Sequence, residues 1–165
     1  TPFLRPKYLS GDRVNIVTVL IHALKKIEKI DKNIYDIILC MEPTCPLRNP
    51  NDIKKSIKKI IDQKLDSVWT ISETDNKYHP DKQLVIKNKY LRFLTNKGKN
   101  IIARQQLSKI YHRNGAIYAV SRNLLLKNKK ILGKKTGYII SKNYMTSIDT
   151  QFDIKYTEWI NNKIK

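Results

Sequence analysis

Tyr35-Asp36-Ile37-Ile38-Leu39-Cys40-Met41 runs without a break into Glu42-Pro43-Thr44-Cys45-Pro46-Leu47-Arg48. The first of these segments is too continuously apolar for a strand wetted on one face and too short for a helix. It therefore reads as a strand covered on both sides. The second is a proline-stiffened polar turn ending in a cation. In open α/β sheets the carboxyl ends of strands are where ligands bind, so Glu42, Thr44, Cys45 and Arg48 are the first candidates to touch one. An ordinary strand-to-helix connection is the alternative reading of the same residues.

Working outward, Val14, Val17, Leu20, Ile21, Leu24 and Ile27 recur at three- and four-residue intervals, which predicts an amphipathic helix over 12–30 with its Lys/Glu face in water. Downstream, Asn49-Pro50-Asn51-Asp52 supplies cap chemistry for a second helix that carries Ile53, Ile57, Ile60 and Ile61 on one stripe. Asp66 to Ile71 follows as a strand. Helix, strand, helix, strand with short connections predicts the βαβ rhythm of a parallel sheet with right-handed crossovers. The rhythm breaks after Ser72. Residues 73–100 are polar apart from Leu84-Val85-Ile86 and Tyr90 to Leu94, which flank Lys87-Asn88-Lys89 as a hairpin would. Gly115 to Val120 resumes a buried strand, Leu124 to Lys127 a short helix and Gly137 to Ile140 a last strand. A final helix begins near Thr150. The fold class expected is α/β, a Rossmann-like sheet with helices on both faces and a small β-hairpin excursion.

At 165 residues the chain has the size of one domain, 1–165, with the excursion as an insertion. No apolar run reaches the roughly 18 to 20 residues that cross a bilayer, and no charged-then-apolar leader is visible, so a cytoplasmic protein is expected. Two cysteines are too few for a disulfide framework and lack the partners of a structural zinc site. The formal charge of +19 invites a nucleic-acid reading, but 26 of the 33 basic residues are lysines scattered among Ile and Asn. The densest clusters, at Lys54-Lys55 with Lys58-Lys59 and at Lys127-Asn128-Lys129-Lys130, fall on a helix's solvent face and in a loop. Nucleic acid is therefore not the expected partner, and neither is a membrane.

Polar residues gather in four places: the 42–48 turn; Arg104-Gln105-Gln106 with Tyr111-His112-Arg113-Asn114-Gly115 ahead of a strand; Ser147 to Asp153 ahead of the final helix; and His79-Pro80-Asp81-Lys82 in the excursion. Asp149, Thr150 and Asp153 can simply cap the helix. Together with Arg104 and the strand-end turn, they also supply what a phosphate-handling enzyme needs, cationic donors for oxygens and a hard oxygen ligand for Mg²⁺. His22 lies on or beside a helix's apolar stripe and reads as packing. His112 is an acid/base candidate without a visible carboxylate partner.

These residues resemble the acylneuraminate cytidylyltransferases, the CMP-sialic acid synthetase family that includes enzymes for pseudaminic and legionaminic acids. Phe3-Leu4-Arg5-Pro6-Lys7-Tyr8-Leu9 is similar to the family's opening "fLRP-x-x-L", and Met41 to Arg48 to its "LQPTSPLR". Ala103 to Tyr118 is similar to "RRQDLPxxYxxNGAIY", and Ser147 to Glu158 to "DIDTxxDxxxAE". The four motifs stand in order along essentially the whole chain. The resemblance implies transfer of CMP from CTP to a nine-carbon sugar acid with release of pyrophosphate, for surface glycans such as lipopolysaccharide or capsule. It implies Mg²⁺ as cofactor, Arg104 and Asp149 as catalytic residues, and Asp149 as metal ligand. It also implies substrate contacts from Glu42, Thr44, Cys45, Arg48, Arg104, Gln105, Asn114 and Tyr118. Residues 73–100 match the placement of the insertion through which family members often form homodimers.

The sequence departs from the pattern at three places. Glu42 stands where the family has glutamine, exchanging an amide for a carboxylate that only accepts. Ser147 takes the place of the first of two metal-binding aspartates, and Ile131-Leu132 that of aromatics. The resemblance also starts about one-third of the way into the family's domain, after its first strand and the basic loop that cradles the triphosphate. It implies that these 165 residues alone neither bind CTP tightly nor turn it over, as part of a truncated record, a split enzyme or an inactive remnant.

Overall fold

The computed structural model describes residues 2–142 and 145–164. Four strands form the central sheet: β1 (Ile37–Cys40), β2 (Ser67–Glu73), β5 (Tyr111–Ser121) and β6 (Thr136–Ile140), in the spatial order β1-β5-β2-β6. Two shorter strands, β3 (Leu84–Lys87) and β4 (Tyr90–Phe93), form a separate hairpin. The sheet is mixed, where a parallel one was expected. β1 and β2 point the same way but do not touch, because β5 runs antiparallel between them; β2 and β6 are parallel neighbours. The reversal follows from the excursion, which leaves the carboxyl end of β2 and returns beside it, so the chain enters β5 heading back.

Helix α1 (Ile16–Asp31) starts at Asn15, whose side chain accepts from the Val17 N–H. Helix α2 (Pro50–Gln63) starts as its sequence prescribes, with Asn49 accepting from the Asn51 N–H and proline in the first turn. The two helices cover opposite faces. Alternation along β5 sends Ile117 and Ala119 to α2's side, with Val68, Ile60, Ile37 and Leu39, and Val120 to α1's side, with Leu24, Ile38, Leu124 and Leu125. The expected short helix after β5 is a π-helical turn, Leu124–Asn128, and the final helix α3 spans Gln151–Ile164. In the hairpin, Asn88 and Lys89 both have positive φ, as the tightest two-residue turns require, and every residue of its two strands is exposed. No helix of the described residues is long and apolar enough to cross a membrane.

β1 is an edge strand. Its four residues are half-buried, against an expectation of burial on both faces, and it pairs on one side only. Beside it lies an apolar groove of about 380 Å³ lined by Phe3, Leu20, Leu24, Ile27 and Ile38 among others. His22 packs at this end of α1 as expected, its ring meeting Phe3 edge-on at 6.0 Å.

One ion pair fastens α1 to the end of β5. Arg122 donates to both carboxylate oxygens of Glu28, at 2.9 and 3.1 Å, and the Tyr35 N–H donates to the same carboxylate at 3.3 Å. The Arg122 bonds hold the Glu28 carboxyl below the usual carboxylate range against an opposing push from burial, and the Tyr35 bond adds a smaller lowering. A depressed folded value stabilises the fold fully above the ordinary range, and the contribution is lost as the pH falls through the depressed value. Glu28→Gln is therefore expected to flatten the acid limb of a melting-temperature profile while losing stability at neutral pH. Superimposable acid limbs for the two proteins would count against this assignment.

Candidate functional site

The site is built on an irregularity in the longest strand. β5 pairs with β2 at Tyr118–Trp69 and again at Arg113–Ile71, so Asn114 to Ile117 bulge opposite the single residue Thr70. Thr70, fully buried, repairs the broken ladder with its side chain. Its hydroxyl accepts from the Ile117 N–H at 2.9 Å and lies 2.8 Å from Asn114 Oδ1, to which it donates. Asn114 Oδ1 also accepts from the Ala116 N–H, and its amide nitrogen donates to the hydroxyls of Ser72 and Ser141 at 3.0 and 3.1 Å. Both amide hydrogens and the carbonyl's two acceptor positions are thus engaged within the protein. Asn114, expected as a substrate contact, lines the cleft described below and spends its amide on holding the bulge together.

The bulge pushes Gly115 toward the turn that follows β1. Gly115 has φ +72°, and a Cβ there would stand 3.0 Å from Glu42 Cδ and closer still to Oε2. Glu42 is anchored through its backbone, donating from N–H to the Gly115 carbonyl at 3.0 Å and accepting from the Cys45 N–H at 3.1 Å. Arg48 completes the turn by donating through Nη2 to the carbonyls of Glu42 and Cys45. Its Nη2 thereby shapes the turn. Cys45 is a second correction: at 1% exposure it packs with Ile60, Val68 and Ile117, and burial pushes its thiol up. Such a side chain has no surface left for substrate. Thr44 contributes its carbonyl, which accepts from the Ile148 N–H at 2.9 Å and so clips the segment before α3 onto the turn.

These contacts bring three of the four sequence clusters around one cleft of about 210 Å³, lined by Glu42, His112, Arg113, Asn114, Gly115, Tyr118, Met145 and Ser147. Tyr118 is almost wholly buried, its ring edge-on to Trp69 at 4.8 Å. Burial raises its phenol above the ordinary value, the Glu42 charge adds to that, and the Arg113 charge works against it. His112, the acid/base candidate, has Nδ1 within 2.9 Å of the Thr74 hydroxyl. Arg104 is not in this cleft. It stands on a turn with Gln105 and Gln106 and lines a separate polar cleft of about 590 Å³ with Glu73, Asp75, Lys77 and Lys82. Gln105 is exposed beside it, and Gln106 accepts from the N–H groups of Ile102 and Ala103. Arg113 is the residue that motif reasoning missed. Its signal was its position, one step before Asn114-Gly115 on a strand.

Asp149 and Asp153 divide their work. Asp153 Oδ2 accepts from the N–H groups of Asp149 and Thr150 and from the Thr150 hydroxyl, bonds that lower its carboxyl, and its own N–H donates to that hydroxyl, so Thr150 and Asp153 cap the helix reciprocally. The Asp149 carboxylate is exposed and has no hydrogen-bond partner among the described residues. No group of three His, Cys, Asp or Glu side chains converges among the described residues. One uncommitted carboxylate, with the neutral Ser147 hydroxyl two residues before it, fits a magnesium ion whose remaining ligands are substrate phosphates and water.

No family model matches the chain. Over 160 residues, 96% of its length, it is 27% identical to the post-translational flagellin modification protein B of Campylobacter coli. It is 24% identical over 95% of its length to the pseudaminic acid cytidylyltransferase of Campylobacter jejuni subsp. jejuni serotype O:23/36 (strain 81-176). It is 29% identical over 96% of its length to a CMP-N,N'-diacetyllegionaminic acid synthase of C. jejuni serotype O:2. The chain is similar to enzymes that make CMP-activated pseudaminic and legionaminic acids. It spans about two-thirds of the length of these relatives, 66%, 67% and 66% respectively. A solved CMP:2-keto-3-deoxy-manno-octonic acid synthetase, complexed with CTP, superposes on 93% of the chain and 70% of its own, with a TM-score of 0.60 and 12% identity. That likeness shows the fold, the mixed α/β sheet of the nucleotide-diphospho-sugar transferases. The cytidylyltransferase motifs thus fall on the β1 turn, the β5 bulge and the segment before α3, which border the Glu42 cleft, and on the Arg104 turn outside it.

Proposed function

We propose that the chain is the sugar-acid-binding portion of a cytidylyltransferase that transfers CMP from CTP to a nine-carbon, sialic-acid-like sugar acid and releases pyrophosphate. The observation that carries the reading is the cleft in which Glu42, Gly115, Tyr118 and Ser147, from three separate motifs of the resemblance, meet. In this reaction the sugar's anomeric hydroxyl attacks the α-phosphorus of CTP, the new oxygen–phosphorus bond forms, and pyrophosphate leaves. Glu42 accepts hydrogen bonds from the sugar, and Tyr118 closes the cleft floor. Arg104, on its exposed turn, serves as an anion contact at the neighbouring cleft, with Gln105 beside it. Thr44, Cys45 and Arg48 fix the turn that aims Glu42. Asp149 would hold Mg²⁺, which when bound neutralises charge on the phosphates and the leaving group. A CTP co-substrate supports a cytoplasmic location. The exposed apolar hairpin, with Ile86, Tyr90 and Leu91 in water, supports residues 73–100 as a homodimer contact.

The open edge of β1 and the apolar groove beside it support a further requirement, a strand that completes the sheet before CTP is held. The test is pyrophosphate release from CTP, Mg²⁺ and either pseudaminic or legionaminic acid, by the product of the full reading frame and by these 165 residues alone. Release is expected from the former and none from the latter. Sugar-dependent release by the 165 residues alone would remove the need for a further strand. Failure of the full product with a panel of nine-carbon acids would overturn the function.

A further inference from the structure

The cleft holds two opposite charges that do not neutralise each other. Glu42 and Arg113 both line it, yet neither carboxylate nor guanidinium has an ion-pair or hydrogen-bond partner among the described residues, and no salt bridge joins them. Both charges act on the buried Tyr118, in opposite senses. The other polar groups are largely committed: the Asn114 amide is saturated by Thr70, Ala116, Ser72 and Ser141, and His112 is engaged with Thr74.

We infer that Arg113 reads the carboxylate of the sugar acid in this cleft while Glu42 takes hydroxyl or N–H donors of the same molecule. A guanidinium presents a planar pair of donors that matches a carboxylate bidentately, and an ionised carboxylate accepts only. A ligand carrying one anionic group and several donors satisfies both, whereas a triphosphate would set several negative charges against Glu42. The cleft therefore takes the sugar acid and leaves the nucleotide's phosphates to another part of the site. This assigns to Arg113 the anion-reading role for which Arg104 is the motif candidate, since Arg104 lines a different cleft. The inference rests on the proposed function.

The experiment is calorimetric titration of the chain, and of the full-reading-frame product, with pseudaminic acid, legionaminic acid and their methyl esters. The proteins are wild type, Arg113→Gln, Arg113→Lys and Arg104→Gln. Wild type is expected to bind an acid about tenfold or more tightly than its ester. Arg113→Gln is expected to lose that preference, binding acid and ester alike, with Arg113→Lys intermediate. Loss of the preference marks contact with the carboxylate, because a merely structural role would weaken both ligands equally. If wild type discriminates acid from ester and Arg113→Gln does so equally well, the inference fails and the function stands. A matching loss in Arg104→Gln alone would return the role to Arg104. If no wild-type protein binds either acid, the function itself fails.

Discussion

Thr70→Val should lower the stability of the chain by about 3 kcal/mol, a drop in melting temperature of about 10 °C for a domain of this size. Valine matches threonine in shape, so no cavity forms. What is lost is the hydroxyl that stands in for a missing rung of the β2–β5 ladder. Without it the Ile117 N–H, on a residue with no solvent exposure, has no acceptor, and Asn114 Oδ1 loses one of its two donors. A buried donor left without a partner costs about 1–3 kcal/mol, in addition to the bond itself. Thr70→Ser keeps the hydroxyl and should stay within about 1 kcal/mol of wild type. Chemical denaturation of the three proteins checks both statements. A valine variant as stable as the serine one would mean that the bulge holds itself without the hydroxyl.

Gly115→Ala is the second large effect, and it divides between stability and binding. At φ +72° an L-residue costs about 1–2 kcal/mol that glycine does not. The new methyl also lands on the Glu42 carboxylate, the end of a flexible side chain, which swings away at modest further cost. Total destabilisation should be about 2 kcal/mol. Sugar-acid affinity should fall by about tenfold or more as the acceptor leaves the cleft. Removing the obstruction with Glu42→Ala in the same chain should recover the steric part and leave the backbone part. The two substitutions are therefore expected to be non-additive in stability. Strict additivity, measured by denaturation of the single and double variants, would separate Gly115 from Glu42.

The elements of the fold were legible from apolar periodicity and cap chemistry, but their directions were not. Asn49-Pro50 announces α2 because a capping side chain and a proline act within one turn of the chain. Ile37 to Cys40 announces a strand because its apolar run is local. Nothing local says that β5 runs backwards between β1 and β2; that is decided by where the excursion ends, a matter of contacts distant in sequence. The half-buried state of β1 has the same origin, since burial of a strand depends on what lies beside it. Motifs named Glu42 and Tyr118, and both line one cleft. Cys45 was misplaced because a turn residue in sequence can point inward, and Asn114 because hydrogen-bond saturation is invisible without its partners. Arg113 escaped because a lone cation in so basic a chain carries little information.

The bulge has one more consequence. Most binding surfaces are assembled from surface loops that tolerate insertion, so that new ligands are met by redrawing the backbone. Here a cleft-lining backbone stretch sits in the middle of the sheet's longest strand, off the ladder but pinned by the buried Thr70 hydroxyl and by the Glu42 N–H. The amide of Ile117, fully buried and bonded to that hydroxyl, should be among the last in the molecule to exchange with solvent. A cleft floor of that kind cannot drift in shape. Descendants of this sequence that acquire a different sugar would have to do so by exchanging side chains over a fixed frame, and the positions open to such exchange are few: 42 on one wall and 113 on the other.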